Sequence, residues 1–123
     1  MKLEELKVYT LSMYMGERIW TIVNRWDYFA KDTVGRQLVR AIDSIATNLS
    51  EGFERYHYKE NVNFSYYSRG SLYETKNWLT KAHNRKMMDS SDFQFFIKHI
   101  DDIGVTLNNY IKSIGKAKKH PTE

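Results

Sequence analysis

With 123 residues, 41% of them hydrophobic, the chain is long enough to bury one substantial core without a disulfide or metal staple, and too short for two domains. It has no Cys, which excludes thiol catalysis and thiolate metal sites and fits a reducing compartment. The formal net charge of +4 is a modest bias that, taken alone, speaks more for solubility than for a nucleic-acid partner. Pro occurs once, at Pro121, and Gly six times, so helix breakers are scarce and an all-α fold is predicted. Acidic residues interrupt MKLEELKVYTL where a signal peptide requires an apolar core, and no apolar run approaches the roughly 18 residues of a membrane span. The expectation is a cytoplasmic chain with no membrane partner.

The first predicted helix covers about residues 4–28. Leu6, Tyr9, Met13, Gly16, Trp20 and Val23 follow a 3,4 rhythm, widened by Ile19, Ile22 and Trp26, and both Trp20 and Trp26 are assigned to the core. Asp32 or Thr33 then offers an oxygen to the free N–H groups of a second helix over about 34–56. That helix places Leu38, Ile42, Ile45, Leu49 and Gly52 on one face, beside a polar strip containing Asn48 and Glu51.

The third helix, about 58–87, carries two stripes. Phe64, Tyr67, Ser71, Trp78 and Ala82, with Glu74 at the margin, are read as the inner one. Tyr66, Arg69, Tyr73, Lys76, Thr80 and His83 form a continuous outer row. The fourth helix, about 91–115, opens at Ser91 with capping-box spacing to Gln94 and keeps an apolar seam from Phe93 through Phe96, Ile100, Ile103, Leu107 and Ile114. Gly115, followed by lysines, reads as its stop, with a frayed basic tail over 116–123. Four amphipathic segments joined by short connections predict an antiparallel up-down four-helix bundle forming a single domain.

The charge is not spread evenly. Residues 58–88 hold six cations against two carboxylates, a net of +4, whereas 1–33, 34–57 and 89–123 each balance at five against five, three against three and five against five. A row that alternates Tyr with Arg and Lys offers cations to phosphates and ring faces to unstacked bases. Tyr66, Arg69, Tyr73, Lys76, Lys81, Arg85 and Lys86 are therefore the candidate nucleic-acid contacts, RNA in particular. The alternative is that the same Tyr/Arg row is a subunit seam or docks a protein partner.

Catalytic constellations are sparse. Bundle di-metal centres require two Glu-x-x-His pairs, and Glu54 to His57 is the single match; the four His residues show no i,i+4 pair and there is no Gly-rich phosphate loop. No catalytic residue, metal or cofactor is assigned. Glu74 beside Ser71, with Asn48, Glu51, Gly52 and Gly70, is read as a buried polar layer fixing helix register, the two glycines allowing close approach.

The run QLVRAIDSIATNLSEGFER followed by YYSRGSLYET resembles the four-helix-bundle proteins encoded in bacterial 23S rRNA intervening sequences. Its most specific elements are Asn48, Glu51 and Gly52 in the second helix and Gly70, Ser71 and Glu74 in the third. The resemblance implies a compact bundle assembling as a homopentameric ring, related to accessory proteins of diversity-generating retroelements, with no established enzymatic activity.

Overall fold

The computed structural model describes residues 1–55 and 57–119, with side chains as far as residue 116. Four long helices carry the architecture: α1 (Lys7–Val23), α2 (Arg36–Phe53), α3 (Tyr58–Asn84) and α4 (Ser90–Lys119). No strand occurs among the described residues. Each helix packs antiparallel on its neighbours in sequence, and α1 closes the square against α4, with the most extensive interface between α2 and α3.

In α1 the buried side is Val8, Ser12, Met15, Ile19 and Val23 with Gly16, one residue back from much of the expected stripe. Met13 and Trp20, assigned above to the core, are 45% and 55% exposed. Rotation of the helix by one position (about 100°) turns them outward, because the small Ser12 and Gly16 occupy the side that meets α2. Trp26 does pack against the core.

The α1–α2 corner departs from the expected cap. Asp27, not Asp32 or Thr33, accepts the Ala30 N–H at 2.9 Å. A helical turn, Tyr28–Ala30, then runs through a π-helical stretch, Lys31–Gly35, straight into α2. The Thr33 hydroxyl instead donates to the Phe29 carbonyl at 2.7 Å, and Asp32 pairs with Arg36. A side chain at Gly35 would bring its Cβ to 2.7 Å from Val23 Cγ1, so glycine is what lets this wide turn seat against α1.

On α2 the expected face is buried throughout: Leu38, Ile42, Ile45, Leu49 and Gly52, with Ala41 and Ala46. On α3 the inner stripe is Ser65, Ser68, Leu72, Thr75, Leu79 and Ala82. Of the expected set only Ala82 is fully buried; Tyr67 is 58% exposed, and Phe64, Ser71 and Trp78 are partly covered at the flank. The actual stripe keeps 3,4 spacing with small and hydroxyl side chains, which bring the α2 and α3 backbones close. The Ser68 hydroxyl reaches across to the Ile45 carbonyl at 2.8 Å.

The α3–α4 turn closes with the Met87 N–H on the Ala82 carbonyl (2.8 Å) and the Lys86 N–H on that of His83 (3.0 Å), with Lys86 at φ 61°. This is a Schellman arrangement with lysine where glycine is usual. Asp89, rather than Ser91 with Gln94, caps α4 by accepting the Asp92 N–H at 2.8 Å. The core of α4 is Phe96, Ile100, Ile103, Leu107 and Ile114, as the seam predicts. Gly115 does not end the helix, which continues to Lys119. A single glycine within a helix costs only about 1 kcal/mol relative to Ala. The last part of the expected tail, 120–123, lies outside the described residues.

Candidate functional site

Tyr66, Arg69, Tyr73 and Lys76 follow one another at spacings of three and four along the flank of α3 that meets α4. The Arg69 guanidinium lies 4.7 Å from the Tyr66 ring centroid and donates to Asn108 Oδ1 at 3.3 Å. The Lys76 ammonium sits 3.2 Å from Asp101 Oδ1. Both cations therefore bend onto α4. Between them Leu72, Tyr73, Gly104 and Val105 line a shallow groove of about 310 Å³, with Tyr73 65% and Val105 63% exposed at its lips. His83 closes the end of this row: its ring stacks on Phe93 at 4.3 Å, and Nε2 lies 3.2 Å from Ser90 Oγ.

The other three candidate cations are elsewhere. Lys81 holds its ammonium 4.7 Å from the Trp78 ring, on the opposite flank of α3. Arg85 is the C-cap of α3, and Lys86 is the left-handed residue of the following turn. The seven residues thus divide into a four-membered row and a separate basic corner.

The expected polar layer is not assembled. Glu74 is exposed, Asn48 Nδ2 donates to the Ser44 carbonyl of its own helix at 2.9 Å, and Glu51 pairs with Arg55 at 3.2 Å. Gly70 is exposed with open space around it, whereas Gly52 is buried: a Cβ there would stand 2.8 Å from Phe64 Cβ. Close approach holds for Gly52 alone. The polar contact that does cross this seam is Ser68 to Ile45, because α3 is rotated so that hydroxyls, not the carboxylate, face α2.

Two features escape the sequence reading. Between α1 and α2, Glu17 and Asp43 flank a polar groove with Ser12 and Thr47, and burial, helped by the Glu17 charge, raises the Asp43 pKa above its ordinary value. At the corner of the same two helices, Trp20 and Tyr28 line a recess of about 390 Å³. Its signal lay in WTIVNRWDYFAKDTVGR, where aromatics and cations interleave across a segment read as the end of one helix and a linker.

Residues 4–109 match the 23S rRNA-intervening sequence protein family. The chain belongs to this family. Among solved structures it is similar to a protein of unknown function from the S23 ribosomal protein family of Bacteroides thetaiotaomicron, at 18% identity and a TM-score of 0.79. That match covers 91% of this chain and 99% of the other, and at this identity it speaks for the shared fold. No curated protein matches the sequence. Among the described residues of this 23S rRNA-intervening sequence family member, no helix is long and apolar enough to cross a membrane.

Proposed function

We propose that this protein is a non-enzymatic bundle that acts by assembly, with the α3–α4 face bearing Tyr66, Arg69, Tyr73 and Lys76 as a seam to another copy or a protein partner. The observation that carries this reading is the engagement of Arg69 by Asn108 and of Lys76 by Asp101. With both cations held by acceptors on the same chain, Tyr73 and Val105 present apolar surface between them, on either side of a groove. Tyr and Arg are enriched at protein interfaces for this combination of contact area and fixed hydrogen bonding. A homopentameric ring is the assembly we infer, its number coming from the family resemblance.

A second reading, RNA contact through the same helix, is favoured by the six cations against two carboxylates over residues 58–88. Lys81, Arg85 and Lys86 stand off the seam and supply that charge. Light scattering after size exclusion, on nuclease-treated and untreated protein, separates the two. Under the assembly reading Tyr73→Ala lowers the molar mass, and the wild-type mass is unchanged between about 50 and 200 mM salt, a range over which six to ten phosphate contacts lose roughly 10³–10⁵ in affinity. A nuclease-treated Tyr73→Ala protein that keeps the wild-type mass, with salt-sensitive RNA binding lost in Lys81→Glu/Arg85→Glu, favours nucleic acid instead.

A further inference from the structure

The recess at the α1–α2 corner has the make-up of a ligand site. Trp20 and Tyr28, 55% and 79% exposed, form its aromatic lining, and Val23 and Val39 contribute apolar surface. At about 390 Å³ it falls in the range of small-ligand pockets, which are mostly apolar with a few polar groups that orient the occupant. The polar residues around it are Asn24, Asp32 and three cations. Lys31, Arg36 and Arg40 line the recess against a single carboxylate, Asp32, and that carboxylate is bound to Arg36. Neither Lys31 nor Arg40 has a carboxylate partner among the described residues.

The backbone beneath it is also unusual. Lys31–Gly35 is π-helical, a rare widening of the helix that recurs at functional sites, and it contributes Lys31, Asp32 and Gly35 to the lining. An apolar, aromatic recess with three cations among the residues around it suits a flat ring attached to an anion. Phe29, 76% exposed and next in sequence to Tyr28, adds a ring face outside the recess, more than one bound ring requires. We propose that the pocket receives one base of a single-stranded nucleic acid, with Lys31, Arg36 and Arg40 at the adjoining phosphates and Phe29 beside the neighbouring base. The site is separate from the α3–α4 face and rests on neither reading of it.

The test is fluorescence anisotropy of a labelled 12-nucleotide single-stranded RNA with the full chain, nuclease-treated and repurified, at several salt concentrations. Trp20→Ala is expected to weaken binding about tenfold, the loss of one stacked base. Arg40→Glu should reduce the slope of log affinity against log salt by about 1 or more. Both side chains are exposed, so the variants should keep the wild-type circular dichroism; should Trp20→Ala misfold, Arg40→Glu carries the test alone. Lys98→Ala, an exposed cation of α4 outside both faces, should bind within about twofold of wild type. No binding by the wild-type chain, binding indifferent to Trp20→Ala and Arg40→Glu, or an equal loss in the Lys98→Ala control overturns the proposal. So does competition by uridine monophosphate at the strand's own affinity, which would make the pocket a free-nucleotide site. A fall in molar mass in Trp20→Ala with no RNA bound by wild type would make it a subunit seam and likewise overturn it.

Discussion

The Ser68 hydroxyl donates to the Ile45 carbonyl at 2.8 Å, a fully buried bond from a side chain of α3 to the backbone of α2. It fixes both the separation and the register of the two helices, since a larger group at 68 would meet the α2 backbone. Ser68→Ala is expected to cost about 1 kcal/mol, the net worth of one such bond. Ser68→Leu should cost more, about 1–3 kcal/mol from overpacking. Urea denaturation at fixed protein concentration checks the order of the two.

Two glycines of similar prominence in the sequence should respond in opposite directions. Gly52→Ala places a Cβ 2.8 Å from Phe64 Cβ and 3.3 Å from the Asn61 carbonyl, neither of them the mobile end of a side chain. The seam must open, at about 1–3 kcal/mol. Gly70→Ala meets nothing within 4 Å on an exposed turn of α3. It should gain about 0.5–1 kcal/mol by restricting the unfolded chain and favouring helix. Thermal melts of the pair, read side by side, test both.

Lys86 holds φ at 61° to complete the hydrogen bonds that end α3. An L-residue pays roughly 1–2 kcal/mol there that glycine does not. Lys86→Gly is therefore expected to raise the melting temperature, by about 1 kcal/mol in stability. If Lys86 also binds a polyanion, the same substitution lowers that affinity while the fold becomes firmer.

Burial, and secondarily Glu17, raise the pKa of Asp43 above 3.8, so the folded chain holds this proton more tightly than the unfolded chain does. Between 3.8 and the raised value the native state binds more protons, and stability falls as pH climbs through that window. Asp43→Asn removes the penalty. It should melt above wild type at pH 7, and the advantage should shrink as the pH is lowered below 3.8. Melting curves across this range, with Glu17→Gln as the partner variant, give the sign.

Where a helix buries large apolar side chains, its inner face was legible: Leu38, Ile42, Ile45 and Leu49 on α2, and Phe96, Ile100, Ile103 and Leu107 on α4, are buried as spacing predicts. The rule failed on α1 and α3 for one reason. Their inner faces contain Ser12, Gly16, Ser65, Ser68 and Thr75, so ranking residues by size pulled the stripe toward Met13, Trp20, Tyr67 and Trp78 at the rim. Hydrophobicity identifies what gains from burial, but close helix contact selects what is small enough to fit. The row Tyr66, Arg69, Tyr73, Lys76 was legible as a row. That its cations lean on Asn108 and Asp101 was not, because those partners lie 39 and 25 residues away in the chain.

The tight seam between α2 and α3 also bears on how the chain reaches its native state. These two helices are consecutive and joined by a short connection, so their contacts close small loops, whereas joining α1 to α4 brings together distant ends. The central hairpin is thus the natural nucleus, assembled before the outer pair docks. Pulse-labelled hydrogen exchange during refolding should protect amides of α2 and α3 first, and Ser68→Ala should slow folding more than it speeds unfolding.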